Sequence, residues 1–261
     1  MITLTIDDDV AEVVLDAPGK LNSLDESALA ELDDAYVRAE AAGVRALLLR
    51  GEGRAFCAGR DISAVKPETD DALGYLRDRV TPVLQRMAAF PAPTFAAAQG
   101  ACLGVGLGLL IATDVVYVAD NAKIGSPFAN LGATLDSGGH ALFFERLGAH
   151  RTLDLIYTAE LMSGADAVAS GLFSRAVPAE ELLPFTRERV EKAARGATNT
   201  FRASKRLVTE LRDERVAFWA SVAHENEAQG DLCLTEDYRE GFAAFQEKRA
   251  PKFTGHATAG D

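Results

Sequence analysis

The sequence predicts an α/β fold, a spiral or layered core of alternating strands and helices followed by a helical tail. Two patterns and one bulk property carry this reading. Through about residue 125, short apolar runs of strand period alternate with helical runs, whereas almost every later segment has helical period. A chain of 261 residues that is 48% hydrophobic can also bury a sizeable core in one large domain. The core is expected to span residues 1–195 and the C-terminal helical region residues 196–261.

Ile2 to Ile6 and Val10 to Leu15 flank the acidic turn Asp7-Asp8-Asp9, which predicts an opening hairpin. Asp16-Ala17-Pro18-Gly19 breaks the pattern. A first helix starts near Asp25, carries Leu29, Leu32 and Tyr36 at helical spacing, and stops by Gly43. Ala46 to Leu49 reads as a buried strand. Residues 64–74, with Pro67 and Gly74, read as mobile, and the next helix places Leu76, Val80, Val83, Leu84 and Met87 on one face. Pro91 and Pro93 end it. Thr94 to Ala98 is a strand, Gly100 to Ala112 a glycine-rich turn opening a short helix, and Val115 to Val118 another strand. Beyond Lys123-Ile124-Gly125, helices are broken by Gly148, Gly164, Gly171 and Pro178. Ser163 with Asp166 forms a capping pair, Leu207 and Leu211 share a face, and Tyr238, Phe242 and Phe245 line the last helix as core or interface. The tail from Pro251 to Asp261 is expected to fray.

The net charge of −12 opposes nucleic-acid partners, whose phosphates the summed field repels. No apolar run reaches the roughly 20 residues needed to span a bilayer, so no membrane role is expected. The N-terminus lacks the basic head of a signal peptide, which predicts a cytoplasmic protein. Cys57, Cys102 and Cys233 are unclustered and fit a reducing compartment. His140, His150, His224 and His256 show no metal-ligand spacing, so no metal site is expected.

Two glycine-bearing loops each follow a strand. Gly104-Val105-Gly106-Leu107-Gly108 misses the Gly-x-Gly-x-x-Gly spacing of dinucleotide sites, and Leu109-Leu110 stands where a phosphate loop carries Lys-Ser or Lys-Thr. Ala55-Phe56-Cys57-Ala58-Gly59-Arg60-Asp61-Ile62 is the other. If their strands lie side by side, one amide from each converges on a single carbonyl oxygen, which holds an oxyanion without side chains. Taken singly, each loop also reads as a tight turn.

The pair Ala58-Gly59-Arg60-Asp61-Ile62 and Gly100-Ala101-Cys102-Leu103-Gly104-Val105-Gly106 resembles the enoyl-CoA hydratase/isomerase (crotonase) superfamily. So do Asp16 to Leu24, Leu161 to Ala167, Gly171-Leu172 and Tyr238 to Arg249, an ordered set covering nearly the whole chain. The resemblance implies a crotonase-like ββα spiral core, a C-terminal helical trimerisation region, and a homotrimer or homohexamer. It implies an acyl-CoA thioester as substrate and no cofactor beyond the CoA moiety. The amides of Arg60 and Val105 would hold the thioester oxygen. Lys20, Ala58, Arg60, Asp61 and Ile62 would contact CoA, with Lys252 and Phe253 reaching in from another subunit.

Hydratases of this family use two glutamates to activate water and deliver a proton. Here those positions are Gly108 and Phe128. Asp136 follows in Gly132-Ala133-Thr134-Leu135-Asp136-Ser137-Gly138-Gly139, similar to certain dienoyl-CoA isomerases and, most closely, to the 1,2-epoxyphenylacetyl-CoA isomerase of phenylacetate degradation. Its local pattern alone reads as a turn or helix cap. The resemblance makes it the single acid/base of an isomerase that shifts a double bond or rearranges a ring through an enolate. Gly104, Gly108, Phe128, Leu131 and Leu135 would form the acyl pocket, its apolar walls raising the affinity of Asp136 for protons. His140 is read as a bystander, and Asp61 and Asp114 as loop or strand-end residues. Enoyl-CoA hydration, a dehalogenase-like route with Asp136 as nucleophile, and acyl-CoA binding without catalysis remain as alternatives.

Overall fold

The computed structural model describes residues 1–63, 65, 70–213 and 235–255. Cys233, His224 and His256, the side chains of Phe242 and Phe245, and most of the 64–69 stretch expected to be mobile lie outside the described residues.

Strand β1 (Ile2–Asp7) turns at Asp8, which takes φ +46°, and pairs antiparallel with β2 (Val10–Leu15). Helix α1 (Glu26–Ala41) begins where the Asp25 carboxylate accepts the Ala28 amide at 2.9 Å. It buries Leu29, Leu32 and Tyr36, the stripe the sequence spacing predicts. Strand β3 (Ala46–Gly51) joins β2 in parallel and is buried along almost its whole length. Its near-continuous apolar run suits a parallel strand covered on both faces.

A single turn, α2 (Ala72–Gly74), leads through a π-helical stretch, Tyr75–Val80, into α3 (Thr81–Ala89). Strand β4 (Thr94–Ala98) then pairs parallel with β3. After it come β5 (Ala101–Leu103) and α4 (Val105–Ile111), where the sequence reading has a turn and a helix only. Strand β6 (Val115–Ala119) pairs with β4, and β7 (Lys123–Gly125) pairs with β5.

Helix α5 (Gly139–Thr158) is interrupted by non-helical backbone at Gly148. The short strand β8 (Met162–Ser163) meets β7, and α6 (Gly164–Ala169) opens where Ser163 Oγ accepts the Asp166 amide at 3.0 Å. Strand β9 (Arg175–Val177) closes the main sheet against β6. Helices α7 (Leu182–Ala194), α8 (Thr198–Asp213) and α9 (Glu236–Glu247) complete the described chain. Beyond Lys123–Gly125 the described chain is mostly helical, as its period predicts, and the exceptions, β8 and β9, are too short to show a period-two signal.

The strands form a six-stranded sheet in the order β1-β2-β3-β4-β6-β9 and a three-stranded sheet in the order β5-β7-β8. Arg45 and Lys205 are among the basic side chains that tie the late helices to the core. Arg45 donates to Gly196 O, Thr198 Oγ1 and Phe253 O at 2.6, 2.9 and 3.1 Å. Lys205 reaches Phe90 O and Asp114 at 2.8 and 3.0 Å. The start of the expected frayed tail is held as well, since the Thr254 and Gly255 amides donate to the buried Asp237 carboxylate.

Candidate active site

The glycine loops emerge beyond the carboxyl ends of β3 and β4, where parallel α/β sheets present loops to ligands. The first runs beside β5: Cys57 N donates to Ala101 O at 2.9 Å and accepts, through its carbonyl, from Leu103 N at 3.0 Å. On its other side Leu24 N donates to Gly59 O and Asp61 N to Leu24 O, both at 2.8 Å. That parallel bridge uses the groups flanking Arg60 and turns the Arg60 amide away from Leu24. Neither Arg60 N nor Val105 N, the first amide of α4, donates to an acceptor among the described residues.

The two turns touch. A Cβ built at Gly59, where φ is +95°, would lie 2.8 Å from Leu103 O and 3.5 Å from Val105 N. Only glycine permits both this backbone and this approach. Asn22, buried at φ +57°, staples the 17–24 loop to the same region by donating to Glu52 O and Ala55 O at 3.0 and 2.8 Å and accepting the Ala17 amide at 2.8 Å.

The 128–138 loop packs on the second glycine loop and α4 through Phe128 and Ser137. Asp136 does not cap α5: the Asp136 carbonyl accepts the Gly139 amide, and its side-chain Oδ1 is buried without a partner. The local reading of this residue as a turn or helix cap holds for the turn and not for the cap. Burial raises its pKa above the ordinary carboxylate range, with the adjacent Ser137 hydroxyl opposing the rise. The Ser137 hydroxyl is buried beside it. At Gly108, a Cβ would fall 2.4 Å from Ser137 Cβ, so the loop bearing Asp136 fills the space a side chain at 108 would need. The Phe128 ring tip lies 2.8 Å from where a Gly104 Cβ would stand, an apolar wall packed on the second turn.

Leu135 is buried beside Asp136, but Leu131, expected with it in the pocket, is 64% exposed at the end of a one-turn 3₁₀ helix, Phe128–Leu131. His140 is exposed and contacts the Thr134 hydroxyl, not Asp136. A cavity of about 990 Å³ reaches Gly108 and Ser137 and continues past Thr81, Leu84, Ile111 and Leu142.

Near the first turn, Lys20 is engaged by Asp25 at 3.2 Å and Asp61 at 3.0 Å. Asp61 also accepts from the Ser63 hydroxyl and amide, and these bonds with Lys20 hold its carboxyl down to about 2. Ala58 N donates to Leu21 O, and Ile62 is 55% exposed. Lys252 lies beside α9, its amide donating to the Glu240 carboxylate at 2.6 Å. Asp114 is a strand-end residue that accepts the Thr94 amide.

Tyr75 escapes the sequence reading. The Arg60 guanidinium is held by two bonds to Asp70 at 2.9 and 2.6 Å and lies 4.0 Å over the Tyr75 ring centroid. Nothing in a helical run of mixed composition marks Tyr75 as different from a core aromatic.

The family model described as "Enoyl-CoA hydratase/isomerase" matches residues 5–256. The chain is 34% identical over 254 residues to a protein of Rhodobacter capsulatus named "Probable enoyl-CoA hydratase", covering 97% of this chain and 98% of that one. It is 31% identical to the (E)-benzylidenesuccinyl-CoA hydratase of Thauera aromatica, covering 97% and 99%. Among solved structures, enoyl-CoA hydratase from Bacillus anthracis superposes with a TM-score of 0.88 at 28% identity, covering 98% of this chain and 99% of that chain.

Proposed function

This chain belongs to the enoyl-CoA hydratase/isomerase (crotonase) superfamily, and on that premise we propose that it is an acyl-CoA isomerase with Asp136 as its single acid/base. The observation that carries the reading is the pairing of a buried, unpartnered Asp136 Oδ1 with a Gly108 that the Ser137 side chain leaves no room to enlarge. Where a hydratase of this family carries two glutamates, this chain has Gly108 and Phe128, and one carboxylate remains.

In the proposed reaction the thioester oxygen accepts hydrogen bonds from the amides of Arg60 and Val105. The Asp136 carboxylate removes a proton from C2 of a 3-enoyl thioester, and the electron pair is delocalised onto that oxygen as an enolate. The same carboxyl returns the proton at C4, leaving the double bond between C2 and C3. Gly104, Gly108, Phe128 and Leu135 border the acyl group. Lys20, Ala58, Asp61 and Ile62 would meet CoA, the phosphates competing with Asp25 and Asp61 for Lys20; Lys252 would enter from a neighbouring protomer of a homotrimer or homohexamer. Ring rearrangement, as in 1,2-epoxyphenylacetyl-CoA isomerase, draws on the same enolate.

The relatives' names favour a second reading, enoyl-CoA hydration. It requires Asp136 to activate a water unaided. Conversion of a 3-enoyl to a 2-enoyl thioester, followed together with C2 hydrogen exchange on the 3-enoyl substrate in deuterated water, separates the cases, because hydration of a 2-enoyl thioester also places a deuteron at C2. The isomerase reading expects exchange and 3-enoyl to 2-enoyl conversion, both reduced at least about 100-fold in Asp136→Asn. Wild-type rates in that variant, or hydration without exchange or isomerisation, would sink it.

A further inference from the structure

Of the two amides that would hold the thioester oxygen, the one on Arg60 belongs to a peptide unit whose other end is Gly59. Gly59 stands at φ +95° and has no side chain, so it adds no anchor beyond its backbone. The Leu24 amide grips the Gly59 carbonyl at 2.8 Å and fixes one edge of that unit. The second anchor is the Arg60 side chain.

That side chain is gripped on two sides. Its Nη1 and Nη2 donate to both oxygens of Asp70, the paired geometry that fixes orientation as well as distance. The buried Tyr75 ring closes one face of the guanidinium. The side chains of Arg60 and Asp70 are 25% and 21% exposed, more sheltered than the Arg77–Asp78 and Arg79–Glu26 pairs, so water screens them less. Each keeps the other charged: Asp70 is the largest influence raising the Arg60 pKa, and the Arg60 bonds hold the Asp70 carboxyl below its ordinary range. Asp70 and Tyr75 are themselves joined by a tight turn, in which the Asp71 carbonyl accepts the Tyr75 amide and the Asp71 carboxylate the Gly74 amide, both at 2.9 Å. Glu26 also acts on Arg60, but it is engaged by Arg79 at 3.1 Å.

We infer that Asp70 is a positioning residue for the oxyanion amide, acting through the Arg60 guanidinium with the Tyr75 ring as its seat. An oxyanion donor works only within about 2.7–3.1 Å of the oxygen, so a small drift of the Arg60 backbone loses the bond. The inference rests on the acyl-CoA reading and its two amides but not on the isomerisation step. The test is infrared difference spectroscopy of bound butanoyl-CoA, a saturated thioester, with and without isotope at the carbonyl carbon, because hydrogen bonds lower a carbonyl stretching frequency. Wild-type protein is expected to move the band down. Asp70→Asn at saturating ligand is expected to lose about half of that shift, one of two donors being misplaced, and Asp70→Glu to regain most of it. Arg60→Met keeps the amide and is expected to lose the same share, with no further loss when Asp70→Asn is added, since Asp70 acts only through the guanidinium.

The full wild-type shift in Asp70→Asn or in Arg60→Met overturns the inference, whatever happens to thermal stability, because a mere brace for the fold leaves the carbonyl frequency unchanged. So do losses that add in the double variant. If Asp70→Asn does not fold, Arg60→Met decides the matter by the same comparison. A wild-type protein that binds butanoyl-CoA without a shift overturns the reading of the two amides and this inference with it, and one that does not bind overturns the acyl-CoA reading as well. The expected shifts without conversion of 3-enoyl substrates remove the isomerase reading alone and leave the positioning role intact.

Discussion

At the scale of single residues, the proposed role of Asp136 joins chemistry to stability. Its carboxyl binds a proton more tightly in the folded chain than in the unfolded one, because burial disfavours the charge. Between the unfolded and folded pKa values the native state therefore holds more protons, and stability falls as pH rises through that window. Two outcomes follow at this residue. The acidic limb of the isomerisation rate against pH is expected to lie above the ordinary carboxylate range, activity falling as the base protonates. Asp136→Asn, measured by thermal unfolding at neutral pH, is expected to gain on the order of 1 kcal/mol while losing exchange activity. A variant that loses both would mean that the carboxylate stabilises the fold despite its burial. From sequence, Asp136 is singled out only through resemblance, since its local pattern reads as a turn or helix cap, and the turn is what its backbone forms. Tyr75 was illegible, because its significance comes from Arg60 and Asp70 folding over it.

At the scale of elements, the close packing of α4 on the 132–138 loop bears on the proposed reaction. Gly108→Glu restores the residue a hydratase would carry, yet its Cβ would meet Ser137 Cβ at 2.4 Å. The expected result is destabilisation by about 1–3 kcal/mol in urea unfolding, with no gain of hydration. Appearance of hydratase activity in a fully stable variant would show that the loop yields readily. The elements were largely readable where they are long or strongly periodic. The α1 stripe and the opening hairpin match their patterns, whereas β5, β8 and β9, of two or three residues each, carry too little sequence to declare themselves. The pairing of the glycine loops was readable as chemistry, but its register with Leu24 was not, because that bridge joins segments distant in sequence.

At the scale of the whole molecule, Arg45 links the central sheet to the late helices through carbonyls and a hydroxyl that no local pattern announces. Its removal in Arg45→Ala leaves those acceptors partly unpaired beneath the C-terminal segment. The expected loss is about 2–3 kcal/mol, with limited proteolysis cutting first C-terminal to residue 195. Cleavage first in the 55–62 loop would contradict that role. The strand order has a separate consequence, for synthesis. In both sheets the order rises with position in the chain, so every new strand lands on the edge left by its predecessor and none has to insert between strands already paired. A chain emerging from the ribosome N-terminus first can add strands without undoing earlier pairs. Its growing edge moves outward from β2 until β9 occupies the last position, so the nascent protein extends a β-ladder in the direction in which it is made.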